Sequence, residues 1–88
     1  MKTSEVNEGL IGKRVSGIFT GLKVTGTIIG IVEDYNEFNP SRPLCSKGVK
    51  IELDHPVIWG EYEYYQYEST SRVSDDWGNL SYTHLISE

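Results

Sequence analysis

Residues 23–33 constrain this chain more than any other stretch, being dense in Val, Ile and Thr, free of proline and alternating with the period of a strand. Val24, Gly26, Ile28, Gly30 and Val32 fall on one face, and Thr25, Thr27, Ile29 and Ile31 on the other. Small and large residues thus take turns along one side, the pattern of a strand that bends sharply around a small barrel. An earlier strand has Val15, Gly17 and Phe19 on one face and Ser16 and Ile18 on the other, with Thr20-Gly21-Leu22 as the turn between the two. A later one opens at Gly48, where Val49, Ile51 and Leu53 alternate with Lys50, Glu52 and Asp54 to give one dry and one wet face. No stretch carries the spacing of a useful helix, so the expected class is all-β.

The connections follow from their turn chemistry. Residues 34–47 read as a long loop in which Asn39-Pro-Ser-Arg-Pro43 cannot pair in a ladder. Asp54-His-Pro56 turns the chain into an acidic aromatic strand, Trp59-Gly-Glu-Tyr-Glu-Tyr-Tyr-Gln-Tyr67. There Tyr62 and Tyr64 share one face and Tyr65 and Tyr67 the opposite one. A bulge at Tyr64–Tyr65 would gather Tyr62, Tyr64 and Tyr67 together. A polar, turn-rich segment ends in Asp75-Asp76-Trp77-Gly78-Asn79, read as a plain turn because its oxygens lack calcium-loop spacing. Residues 80–86 form a last strand with Leu80, Tyr82 and Ile86 inward. Residues 1–9 are polar and expected to be flexible, with one helical turn begun by Ser4, leaving residues 10–88 as a single domain. About five strands in this length suggest a small, partly open barrel.

Composition excludes several stabilising devices and chemistries. A single cysteine, Cys45, forbids an intrachain disulfide, and with only His55 and His84 beside it a structural zinc site is not expected. Neither histidine sits in a frame that holds a nucleophile, so no catalytic residue is named and the chain is read as non-enzymatic, without cofactor or metal. No apolar run follows the opening Met-Lys-Thr-Ser-Glu, so neither a signal peptide nor a membrane span is expected. Asn79-Leu80-Ser81 matches the glycosylation pattern, but nothing else points to secretion, and the expected location is the cytosol. The net charge of −5 hides an asymmetry: residues 1–50 sum to +2 and residues 51–88 to −7. A nucleic-acid footprint needs a broad basic face, which the second half would oppose.

Gly12-Lys-Arg-Val15 and Gly26-Thr-Ile-Ile-Gly-Ile-Val-Glu33 resemble the strand-loop-strand opening of KOW-type and other SH3-like barrels. The likeness covers the first third of the chain and implies an SH3-like, partly open five-stranded barrel. Short, acidic, Tyr-rich and all-β, the chain is also similar in general profile to phage-encoded sponge proteins that sequester the nucleotide signals of bacterial defence systems. That resemblance implies capture of a small anionic ligand, a cyclic nucleotide among the candidates, in a bacterial or phage-infected host cytosol. Read from the residues themselves, Tyr65, Tyr67 and Trp77 would stack on bases while Arg72, Ser69 and Ser71 hold phosphates. The alternatives are an SH3-like protein-interaction module favouring a basic partner and a KOW-like RNA-binding module using Lys13, Arg14, Lys23, Lys47 and Lys50. The first two share an expectation of self-association, because a core this small leaves more rings than it can bury.

Overall fold

The computed structural model describes residues 1–35 and 43–86. Five strands form one antiparallel sheet: β1 (Arg14–Phe19), β2 (Leu22–Tyr35), β3 (Leu44–Trp59), β4 (Tyr62–Arg72) and β5 (His84–Leu85). Their spatial order is β4-β3-β2-β1-β5. The sheet does not close, but it curls until its two ends meet: the Ser69 hydroxyl on β4 lies 2.7 Å from that of Thr83, the residue before β5. The architecture is an all-β, partly open barrel. Among the described residues no helix is long and apolar enough to cross a membrane.

Turn residues set the register. Thr20-Gly21 joins β1 to β2 in a two-residue turn with φ of 51° and 80°, and Phe19 pairs with Leu22. A backbone right-twisted on both sides favours such left-handed turn residues. Gly60-Glu61 makes the second tight hairpin, Trp59 pairing with Tyr62, and Gly60 supplies its positive φ of 64°. The expected single aromatic strand is therefore divided: Trp59 ends β3, and the tyrosines belong to β4.

Two irregularities reshape the predicted faces. On β2 the register shifts between Ile28 and Gly30, so Ile29 is an extra residue, exposed, and Ile31 rather than Val32 packs against the core. Ahead of that bulge Gly26 is required by close approach: a Cβ there would lie 2.7 Å from Ile51 Cγ2 and closer still to the Glu52 carbonyl oxygen. Gly30 has no such constraint. On β3 the ladder with β4 breaks between Glu52 and Val57, so residues 53–56 face Tyr65 alone. Proline at 56, lacking an N–H, fits such a break. The expected turn at Asp54-His-Pro56 is thus a bend inside one long strand; of the loop expected over residues 34–47, residues 34–35 belong to β2 and 44–47 to β3, while residues 36–42, with all of Asn39-Pro-Ser-Arg-Pro43 but its last proline, lie outside the described residues.

Val6, Val15, Ile28, Val49, Ile51 and Leu80 form the core, with Met1, Leu10, Ile31 and Tyr67 packed on it. Val6 and Met1 belong to the segment expected to be loose. Instead, residues Thr3–Glu5 and Glu8–Leu10 make short 3-10 turns that cap the open side of the barrel. The Met1 amino group donates to the carbonyls of Thr83 (2.7 Å) and Leu80 (3.2 Å), while the Thr3 N–H and hydroxyl both donate to Asp76. These two bonds hold the Asp76 carboxyl below its usual range. The predicted last strand shrinks to β5, preceded by a 3-10 turn at Asn79–Tyr82. Leu80 points inward as expected, but Tyr82 and Ile86 face solvent and Thr83 takes the interior place, because the turn breaks the two-residue alternation.

Candidate functional site: an aromatic hairpin and the groove at its base

The six side chains expected to form a ligand site do not converge. Ser69 and Ser71 are 1% and 2% exposed, Ser69 against Thr83 and Ser71 against Gly78, so neither can reach a ligand. Ser69 exchanges its hydrogen bond with Thr83. Tyr67 is half-buried, its ring stacked on Phe19 at 4.8 Å. Its hydroxyl is enclosed beside Gly17 and Thr83 without a well-formed hydrogen bond, and burial raises its pKa, an effect that Thr83 partly offsets. Tyr65 lies on the other side of β4, exposed, where a hydrogen bond to Glu63 raises its phenol above the ordinary value. Arg72 and Trp77 do meet, the guanidinium 5.2 Å from the indole centroid. Arg72 is already held by Asp75, however, through Nε at 3.2 Å and Nη2 at 2.7 Å. Asp75 also accepts from the Trp77 N–H, which fixes the turn.

The bulge expectation fares better. Tyr64 meets Phe19 edge-on at 5.2 Å, and Tyr62 lies 6.4 Å from Tyr64. Tyr62, Tyr64, Phe19 and Tyr67 therefore form one aromatic row. The extra residues that allow it sit on β3, opposite Tyr65. The row runs from the core to the tip of the β3–β4 hairpin, and there burial ends. Ile58, Trp59 and Tyr62 are 73%, 60% and 68% exposed, beside the acids Glu61 and Glu63.

At the base of the hairpin is an open groove of about 680 Å³ that sequence reading did not single out. It arises because β2 pairs with β3 no further toward its amino end than Gly26 with Leu53, leaving residues 22–25 paired to β1 alone. Ser16, Ile18, Lys23 and Thr25 line it from β1 and β2, His55 and Val57 from the bend of β3, and Tyr82 and His84 from the chain end. The bend is fixed from outside. Both Arg14 Nη atoms donate to the two Asp54 carboxylate oxygens, and the Thr25 hydroxyl adds a third bond at 2.7 Å. The Arg14 bonds first, and the Thr25 bond after them, hold Asp54 far below the normal carboxylate range. The sequence signal that could have found this groove is Pro56 interrupting an otherwise strand-like run.

A family model matches residues 1–85 of the chain. The protein belongs to the family described as a domain of unknown function, DUF7258. No curated protein and no solved structure matches it. The DUF7258 description names no activity, so a functional reading rests on the geometry of hairpin and groove.

Proposed function

We propose that this DUF7258 protein is a non-catalytic interaction module whose contact surface is the tip of the β3–β4 hairpin, taking a protein partner that combines apolar and basic groups. The observation that carries this reading is the exposure of the cross-strand pair Trp59 and Tyr62 on one face of a tight turn, with Ile58 exposed on the other face beside Glu63. Aromatic residues contribute most of the binding energy where a few side chains dominate an interface. A two-residue hairpin anchored by the Tyr64–Phe19 contact presents them with little conformational entropy left to lose. The flanking acids select against acidic partners and accelerate encounter with basic ones. A photo-cross-linking residue at position 62 tests the reading: irradiation in cells should join the chain to a protein, and capture should weaken with added salt. Irradiation that yields no protein adduct overturns it.

Anion capture, with a nucleotide as the candidate, is favoured by one observation, the exposed Arg72–Trp77 stack. Tyr65 also stays at the surface, but Arg72 would have to leave Asp75, and Ser69 and Ser71 are buried. Isothermal titration against a nucleotide panel decides this second reading, with heat lost in Arg72→Ala as the supporting result and uniformly absent heat as the opposing one.

A further inference from the structure

We infer that the groove at the base of the hairpin is the receptor for the hairpin tip of a second copy of this chain, so that two copies exchange tips in a closed dimer. The inference rests on the interaction-module reading and names its partner. Complementarity of charge and surface within one sequence is what points to a second copy. The tip carries Glu61, which has no ion-pair partner among the described residues, between the exposed apolar side chains of Trp59 and Tyr62. The groove carries Lys23, likewise without an ion pair among the described residues, together with the imidazoles of His55 and His84. Its apolar lining includes Ile18, Leu22 and Val57. The neighbouring Asp54 is not a repelling charge, because Arg14 and Thr25 already satisfy it.

The tip does not fill the groove of its own chain, since none of Trp59, Glu61 and Tyr62 lines it. Val57 forms one wall, and the strand runs on from it to Trp59 and the turn, so the tip lies about 7 Å or more beyond the wall at about 3.3 Å per residue. A second copy meets no such restriction. Tip and groove lie at the same end of the sheet, since the Thr20-Gly21 and Gly60-Glu61 turns both close hairpins there and Phe19 touches Tyr64 across them. A two-fold axis at that end can therefore seat both tips at once, and an isologous contact of this kind stops at two copies instead of growing into a filament. Each protomer then contributes both a tip and a groove. The edge of β2 over residues 22–25, unpaired on the groove side among the described residues, offers backbone groups to the incoming chain.

Sedimentation equilibrium on the whole chain, with circular dichroism to confirm folding of each variant, provides the test. The wild-type chain should be dimeric at tens of micromolar. Glu61→Lys and Lys23→Glu should each weaken the dimer at least about tenfold, and Trp59→Ser should do the same without charge. The combined Glu61→Lys/Lys23→Glu variant should recover affinity to within about threefold of wild type, because it restores both reciprocal pairs. A wild-type chain that is monomeric at several hundred micromolar overturns the inference, as does a dimer indifferent to Trp59→Ser or a combined variant no better than the singles. Cross-linking at position 62 separates the two proposals: adducts only to other proteins remove the dimer and keep the module, while adducts to a second copy support both.

Discussion

Ser69→Ala is the most informative single change, because a ligand-holding serine and a structural one predict different outcomes. Ser69 and Thr83 join the two ends of the curled sheet by a hydrogen bond of 2.7 Å in a fully buried place. Deleting one hydroxyl loses that bond and leaves a buried Thr83 oxygen to satisfy, for which the usual cost is about 1–3 kcal/mol. The Tyr67 hydroxyl faces Thr83 and can take over as a partner, which places the expected loss in the lower half of that range, at about 1–2 kcal/mol. A domain of this size loses about 4–8 °C of melting temperature per kcal/mol, so the shift is large enough to read without ambiguity. Thr83→Val should cost a similar amount. Replacing both groups removes donor and acceptor together, so Ser69→Ala/Thr83→Val should be less destabilised than the sum of the singles by about 0.5–1.5 kcal/mol. Urea unfolding followed by amide circular dichroism, with the slope checked for constancy, measures all four corners of the cycle. Additive losses, or a Ser69→Ala protein of wild-type stability, would refute a structural role for this pair.

Three further outcomes follow from the same geometry. Gly26→Ala should destabilise by about 1–3 kcal/mol, since the new methyl meets the Glu52 backbone and Ile51, whereas Gly30→Ala, with only Lys50 Cβ at 3.9 Å, should stay within about 0.5 kcal/mol of wild type. Equal losses at the two glycines in chemical denaturation would contradict the assignment of the close approach to Gly26 alone. Asp54 and Asp76 both have lowered pKa values in the folded chain, so the unfolded chain binds protons first as the pH falls. Their stabilisation is complete above the ordinary carboxylate value of about 3.9 and drains away as the pH drops through the folded values. Urea midpoints should therefore decline below about pH 4, and Asp54→Asn should flatten part of that decline; an unchanged slope in the variant would count against the Arg14 and Thr25 contacts. Thr20 holds a left-handed φ of 51° that a branched side chain disfavours, so Thr20→Asn should raise stability by about 1 kcal/mol, and a lower melting temperature would argue against this turn geometry.

The local rules were legible in the sequence where strand alternation was unbroken. Val15, Gly17 and Phe19 share the inner face of β1 as read, and Val49, Ile51 and Leu53 do the same on β3, because tightly paired strands leave side chains no choice of side. Legibility failed where one residue or a few slipped the register. A run such as Ile28-Ile29-Gly30-Ile31 offers four acceptable side chains in a row, and only the partner strand decides which is extruded. Ser69 and Ser71 read as phosphate-holding residues of a polar, turn-rich segment, residues 69–78, whereas both lie on the inner face of β4. Their burial depends on Thr83 and Gly78, contacts set by the folding of the chain end onto β4. The loose reading of residues 1–9 failed for the same reason, since Val6 and Met1 are single apolar residues whose niche exists only once Leu80 is in place. Exposure of Trp59, Tyr62, Tyr65 and Trp77 was readable, since an alternating strand and a polar turn cannot hide that many rings.

Both indoles of this chain, Trp59 and Trp77, look out into solvent. In the single chain both are expected to emit as wetted tryptophan, so intrinsic fluorescence should change little when a monomer unfolds. The same arrangement turns them into two separate optical reporters: Trp59 brightens or shifts when the hairpin is covered, and Trp77 when its stacked guanidinium is displaced. Replacing one at a time with phenylalanine tells an observer which part of the molecule a newly found partner has touched.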